Sequence, residues 1–537
     1  MIKNQKYIGV AFLIGIVYRL LMGLQGIDNV DTGFCMTFYQ NFFTHPESMP
    51  FYFNYYLTGL IGGVWQLLFG QFGLLGFRVL ETATMATAIW LLYLAFRPWL
   101  LSVRVAVIAI LLSFLFPSFV ITFHYDTLSF LLMAVSVYVL SHWFRGGSPL
   151  WLIMAGAMIG LSFFSRMAFF TLVALTLLPL FWGSHTPWRQ RVVNAVLYLG
   201  GMALAVVAMV VVIVVMGDIE YVTNALMETL RTTSNSESPG AATLFGIYMK
   251  SYVNIGLQIL VIALIALYFG DAALLSPRLR IIVRIVMTIG LFVLVLTSQP
   301  YLSAAAFCTL LIVISPRPMP LAFYALACAY LFPFGSDTSI PGVLHWCGGL
   351  LIIPAATCFR QFSSHWQRLV TRVVIVCIAL NMIYKMGSRA YGESEYRTAT
   401  TTIALPHTLN VMTSAERAAN YRREVALINE YAGDNKLLLL ANQASELYYA
   451  TAMIPFTGHT SMTAYTESDL IERLNEQYDH YRQLPLIVYL SGYDETGRTE
   501  AFRETLSTWM RQQGYRKVYS GDGTEIWRSD KQYENNH

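Results

Sequence analysis

Two carboxylates, Asp28 and Asp31, follow the first apolar run, in the stretch GIDNVDTGFCMTFYQNFFTHPESMP from Gly26 to Pro50. A carboxylate at the edge of an apolar run can act as a general base on a hydroxyl or amine, and burial beside Phe34, Phe38 and Tyr39 would tune its pKa. Asp31 is equally well placed to cap a helix. A second acid, Asp126, comes after His124 and Tyr125, again where an apolar run begins, so general-base and capping readings both stand there too. Arg166 lies in SFFSRMAFF, between two apolar runs. A guanidinium in such a place either binds a phosphate, whose geometry it matches, or snorkels to lipid headgroups. Arg78, at the start of a span after a Gly-rich turn, is a second phosphate candidate. It could instead pair with Glu81 at helical spacing.

Around these charges stand residues suited to line a cavity: His45, Tyr55 and Tyr56 after the first loop, His124 and Tyr125 beside Asp126, and Asp337 in a later loop. With Tyr52, the early tyrosines make an aromatic wall that suits sugar rings and lipid headgroups alike. The chain has no CxxC and no Cys/His metal spacing, and its C-terminal region has no P-loop, GxGxxG or GxSxG. Histidines and acids on outer loops leave a divalent metal open without requiring one. The six cysteines read as buried apolar thiols.

The elements that must position these side chains are hydrophobic. Of 537 residues, 56% are apolar and 12% charged. Soluble domains carry roughly 25% charged residues. The formal net charge of +4 is scattered between apolar runs, which argues against nucleic acid. A retained first span is expected at 7–25, because no small-residue cleavage site follows it. Further spans are expected near 73–95, 103–120, 127–143, 150–165, 167–183, 192–216, 248–269, 279–297, 301–315, 319–333, 342–359 and 368–386, about 13 in all. The interrupted apolar stretch 51–70 reads as a juxtamembrane or re-entrant helix. With that count Arg97, Arg104, Arg145, Arg189, Arg191, Arg278, Arg280, Arg317, Arg360, Arg368 and Arg372 share one side, cytoplasmic by the positive-inside rule. Asp28, Asp31, Asp126, the 217–247 connection and the Asp337 loop fall on the other. Counting 51–70 as a full span breaks the pattern.

The membrane domain is expected over 1–386, with an outer loop at 26–72, and a polar domain over 387–537 on the outer side. In the latter, a helix from a Thr413/Glu416 capping box to about Tyr431, strands at Leu437–Leu440 and Leu486–Leu490, helices at 467–482 and 499–514, and a strand pair around Gly521-Asp522-Gly523 predict a small α/β domain. The 217–247 connection, with its Ser/Asn/Gly-rich run, reads as a mobile loop.

The order of these pieces resembles a known group. Asp31-Thr32-Gly33-Phe34 follows one span, then a His-Pro and an interfacial helix, then FGQFGLLGFRVLETATMATAIWLLYLAFR from Phe69 to Arg97. HYDTLSFLLMAVSVYVLSHWFRGGSPLWLIMAGAMIGLSFFSR follows from His124 to Arg166. Over residues 1–185 this is similar to the GT-C glycosyltransferases that use polyprenyl-phosphate-linked sugars, notably the aminoarabinose transferases and protein O-mannosyltransferases. The resemblance implies Asp31 as the base that deprotonates the acceptor, with Asp28 beside it and Asp126 as the second-loop acid. Arg166 matches a basic residue, often Lys, that holds the donor phosphate, and Arg78 matches an Arg opening the family's second span. Asp31 is followed by Thr32 rather than a second acid, which departs from the family pattern. The implied activity is transfer of a sugar, with inversion, from a polyprenyl phosphate to a glycan, lipid or protein acceptor at the periplasmic face of a bacterial inner membrane. A transporter or flippase for a lipid-linked substrate is the alternative. The acids sit at span ends on one face rather than at mid-membrane helix breaks, which favours the enzyme.

Overall fold

A computed structural model describes residues 5–28, 31–100, 102–115, 122–182, 186–234, 241–270, 300–313, 319–334, 346–358, 375, 378–387, 401–405, 411–461, 467–490 and 500–529. Asp337 and the expected span 279–297 lie outside them. The chain opens with α1 (Gln5–Gly23), α2 (Asp31–Asn41), a 3-10 helix at Pro50–Tyr55, α3 (Tyr56–Phe69) and α4 (Gly73–Phe96). There follow α5 (Val103–Leu115), α6 (Tyr125–Trp143), α7 (Leu150–Ser165), a 3-10 helix at Met167–Leu177, α8 (Leu178–Phe181), α9 (Trp188–Met216), α10 (Ile219–Ser234) and α11 (Ala241–Gly270). Then come α12 (Pro300–Val313), α13 (Pro320–Leu331) and α14 (Gly349–Cys358). Among the described residues, α1, the segment Pro50–Phe96, α6 and α9 are long and apolar enough to cross a membrane, with shorter apolar helices beside them. The protein is a multi-pass membrane protein by these helices. The surface of α9 bears Val196, Leu204, Val207, Val211 and Val215, all exposed. Such a face meets lipid rather than water.

The membrane core is centred on α4, α6, α7, α13 and α14, through Ile89, Leu92, Phe96, Met133, Val137, Leu140, Tyr324 and Leu350. Among the described helices, α7 and α9 share the most extensive contact. A Cβ on Gly156 would lie 2.0 Å from the Tyr198 carbonyl oxygen, and one on Gly201 2.0 Å from that of Ile153. Small residues let two backbones approach this closely, and in lipid that approach is itself a driving force. Arg19 of α1 and Glu81 of α4 form a buried ion pair inside this region. At one end of the bundle Arg145 donates to the Ala95 carbonyl and lies over the Trp99 ring, so two of the basic connections meet there. Asp126 lies at the opposite end of α6.

Three local expectations change. The segment after Arg166 is a 3-10 helix rather than a span-length α-helix, and Pro179 opens the short α8. The 217–247 connection is helical over 219–234. Val222 and Ala225 are buried, Tyr221 meets Phe53 at 5.2 Å, and Asn54 Nδ2 donates to the Ala225 carbonyl, so an apolar stripe holds it down. In the C-terminal region the cap of α15 (Ala415–Ala432) is Ser414, not Thr413. Ser414 Oγ accepts from the Arg417 N–H at 3.2 Å, which is the geometry a capping hydroxyl supplies.

The C-terminal region also contains β1 (Thr401–Thr402), β2 (Met412–Thr413), β3 (Leu437–Leu440), α16 (Glu446–Thr451), β4 (Ile454–Pro455) and α17 (Glu467–Tyr481). It ends with β5 (Leu486–Leu490), α18 (Glu500–Gln512), β6 (Tyr515–Gly521) and β7 (Thr524–Ser529). The sheet order is β4-β3-β5-β7-β6, parallel across the first three strands and antiparallel across the rest. Leu437–Leu440 are buried on both faces, as strands covered by helices must be. Asp522 and Gly523 both adopt positive φ in the hairpin turn between β6 and β7.

Candidate active site

Three spans and the first loop bring the charges together. His124 is extended and caps α6, its Nδ1 accepting from the Asp126 N–H at 2.9 Å, while its ring stands edge-on to Trp346 at 4.2 Å. Asp126 therefore sits in the first turn of α6, where a carboxylate is favoured by the helix dipole. Arg166 ends α7 in extended backbone. Ser129 of α6 and Ser165 of α7 share a hydroxyl hydrogen bond, and Thr58 donates to the Ser165 carbonyl at 3.1 Å. These polar contacts lock the two helix ends together. In consequence Arg166 Nη1 meets Asp126 Oδ1 at 3.3 Å, with the residues 8% and 5% exposed. The pair that the sequence placed in separate loops is one buried unit.

An aromatic column runs outward from it. The Arg166 guanidinium lies 5.2 Å from the centre of the Tyr125 ring. Tyr125 stacks on Tyr55 at 4.3 Å and on Phe34 at 6.5 Å. Phe34 stacks on Tyr52 at 5.2 Å. Tyr52 faces His459 at 5.0 Å, and its hydroxyl lies 3.0 Å from Thr460 Oγ1. Tyr55, Tyr125 and Phe34 are half-buried, so part of each ring faces outward. Asp31 is exposed at the start of α2 and lies within electrostatic range of Tyr125 and Cys35.

The other expected residues have different partners. The Asp28 carboxylate accepts from the Thr32 N–H at 3.0 Å and from its hydroxyl, the contacts of a helix cap. Arg78 is 1% exposed, with Nη1 donating to the Gly23 carbonyl at 2.5 Å and Nη2 to that of Gly26 at 2.6 Å. The Tyr56 hydroxyl donates to Asp218 at 2.8 Å. His45 is exposed, 3.2 Å from Glu47. Among the described residues no group of three or more His, Cys, Asp or Glu is clustered as metal ligands would be.

Sequence reasoning missed His459 and Thr460, which reach the column from the C-terminal domain. Burial pushes His459 down to about 4, so its ring is neutral at ordinary pH. Its Nδ1 accepts from the Ser461 N–H at 3.0 Å. The PFTGHTS run from Pro455 to Ser461 was the available signal: a Pro and a Gly beside a His and two Thr, in a domain otherwise built of leucine strands and charged helices.

Residues 57–215 match a family model described as dolichyl-phosphate-mannose-protein mannosyltransferase. The match takes in α3 through α9, and with them Arg78, Asp126 and Arg166. It bears out, over that segment, the resemblance to GT-C membrane glycosyltransferases. No curated protein sequence matches the chain. Among solved structures, the apo oligosaccharyltransferase of Archaeoglobus fulgidus is similar at 12% identity, over 98% of this chain and 75% of that one, with a TM-score of 0.49. ArnT from Cupriavidus metallidurans bound to undecaprenyl phosphate is similar at 11% identity, over 97% of this chain and 98% of that one, with a TM-score of 0.38. Its apo form gives 12%, 97%, 96% and 0.38.

Proposed function

We propose that this protein transfers a sugar from a polyprenyl-phosphate-linked donor to a glycan, lipid or protein acceptor at the periplasmic face of an inner membrane. The observation that carries the reading is the buried Asp126–Arg166 pair opening onto the half-exposed rings of Tyr125, Tyr55 and Phe34, with the Asp31 carboxylate exposed nearby. Such a donor carries its own leaving group. The protein must orient an acceptor, take its proton and stabilise charge that grows on the phosphate.

In this reading Arg166 holds the phosphate. A guanidinium is a fork of five N–H donors, so one edge can serve Asp126 while another serves a phosphate oxygen. Asp126 orients the fork rather than taking the acceptor's proton. Asp31, exposed where Asp126 is buried, is the general base. Aromatic faces beside it suit the apolar face of a sugar ring. Displacement at the anomeric carbon in a single step inverts its configuration. Arg78 is committed to backbone carbonyls, which leaves the phosphate to Arg166.

The test is transfer by purified protein from a labelled undecaprenyl-phosphate sugar. Asp31→Asn is expected to lower kcat by on the order of 10²–10⁴-fold while donor binding persists. Equal transfer by wild type and variant removes Asp31 from the mechanism.

A further inference from the structure

The segment carrying Asp31 is held on both flanks, by different domains. On the membrane side Arg78 of α4 grips the end of α1, Nη1 donating to the carbonyls of Gly23 at 2.5 Å and Gln25 at 3.3 Å, and Nη2 to that of Gly26 at 2.6 Å. On the other side the C-terminal domain pairs with the same residues. The Met412 N–H donates to the Leu24 carbonyl and the Gly26 N–H donates to the Met412 carbonyl, both at 2.9 Å. Gly26 sits at a φ of +84°, backbone that a side chain would strain.

Past Asp31 the chain meets the C-terminal domain again. Gly33 is buried against the peptide that joins Ser445 to Glu446. A Cβ there would lie 2.1 Å from the Glu446 nitrogen and 2.4 Å from the Ser445 carbonyl carbon. Thr37, one turn on, donates to the Gly33 carbonyl at 2.8 Å and lies 3.5 Å from the Ser445 carbonyl oxygen. The Ser445–Glu446 turn is itself anchored, because the Tyr421 hydroxyl of α15 donates to Glu446 Oε1. These are contacts to backbone, which no rotamer change can relieve.

We propose that the C-terminal domain and Arg78 form a two-sided clamp, closing on residues 23–26 before Asp31 and on Gly33 after it, and that Arg78 and Gly33 are positioning residues for the Asp31 carboxylate. The inference rests on the function proposed above. Asp31 stands between the two grips, so its place relative to Arg166 is set jointly by α4 and by the C-terminal domain. Displacing a reacting group by about 1 Å costs on the order of 10²-fold in rate. The clamp touches no donor, so its loss shows in kcat and not in donor affinity.

The experiment compares full-length wild type, Gly33→Ala and Arg78→Lys in detergent, reading kcat, affinity for undecaprenyl phosphate and the unfolding midpoint. Lysine keeps the charge but replaces a fork spanning three carbonyls with a single ammonium. Both variants are expected to lose on the order of 10–100-fold in kcat with donor affinity within about twofold of wild type. Met412→Pro, which removes the N–H that reaches Leu24 while also fixing the backbone and replacing the side chain there, is expected to show the same split and stands in for Gly33→Ala should that variant fail to fold. Unchanged kcat in Gly33→Ala or Met412→Pro overturns the clamp. So does a loss of donor affinity in Arg78→Lys that parallels kcat, because the guanidinium would then touch the donor. A wild type with no transfer defeats the proposed function instead, and that outcome is read in its own arm.

Discussion

At the scale of single residues, a charge pair as dry as Asp126–Arg166 contributes little net stability, because desolvation offsets most of the attraction. Its value is orientation. Arg166→Lys retains the charge and loses the fork, so donor affinity is expected to fall by on the order of tenfold with the unfolding midpoint nearly unchanged. Equal affinity would take the phosphate away from Arg166. Glu446 gives a second prediction. Burial pushes its carboxyl up to about 8 from an ordinary 4.5, against the Tyr421 hydroxyl and Arg417, which lower it, and with Asp28 raising it further. Its Oε2 has no hydrogen-bond partner among the described residues. The folded state therefore holds a proton that the unfolded state has released. Stability from this group is fully present below pH 4.5, declines as pH rises and is lost once pH passes about 8. Glu446→Gln is expected to flatten that decline, read as unfolding midpoint against pH; a slope equal to wild type would clear Glu446 of the effect. The acids and Arg166 were legible as residue types at span ends. Their division of labour was not, because a cap and a base look alike in sequence. Only the Thr32 contacts mark Asp28 as the cap.

At the scale of elements, the place of Arg166 depends on the α7–α9 seam. Gly156 and Gly160 form a small-xxx-small face, and a Cβ on Gly160 would lie 2.6 Å from the Met202 carbonyl oxygen. Gly156→Leu forces the two backbones apart. Overpacking costs about 1–3 kcal/mol where side chains can adjust, and backbone cannot. The variant is expected to lose both thermal stability and donor affinity, since α7 ends at Arg166; retained affinity would show that Arg166 is placed without the seam. Apolar runs made the long helices and the leucine strands β3 and β5 readable, because their pattern is set by what surrounds them. The 3-10 segment from Met167 to Leu177 was not readable: its composition is that of a span, and its geometry follows from packing. The helix at 219–234 was hidden for the opposite reason, since only a narrow stripe of it is apolar. The short α16 and β4 carry too few residues to show any period, yet they supply the seat of Gly33 and the run leading to His459.

At the scale of the whole molecule, the main-chain pairing of Met412 with the end of α1 puts the C-terminal domain at the end of the bundle that holds Asp31 and Asp126. Arg97 and Arg145 mark the other end. A cysteine placed at Asp522, whose side chain is 68% exposed, reports on sidedness. The five described native thiols are buried, so the background is low once Cys377, which lies outside the described residues, is replaced by Ser. If the proposed function and its sidedness hold, an impermeant maleimide labels this cysteine before the membrane holding the protein is permeabilised; labelling only afterwards would invert the topology. The Arg19–Glu81 pair carries a consequence for biogenesis. During synthesis α1 leaves the ribosome well before α4, so the pair between Arg19 and Glu81 closes only once the later helix has been made. Glu81→Ala removes the acid from this buried pair, and losing one partner of such a pair costs about 3–5 kcal/mol, so loss of the bond between the first helix and a later one is expected to show as a lowered unfolding midpoint.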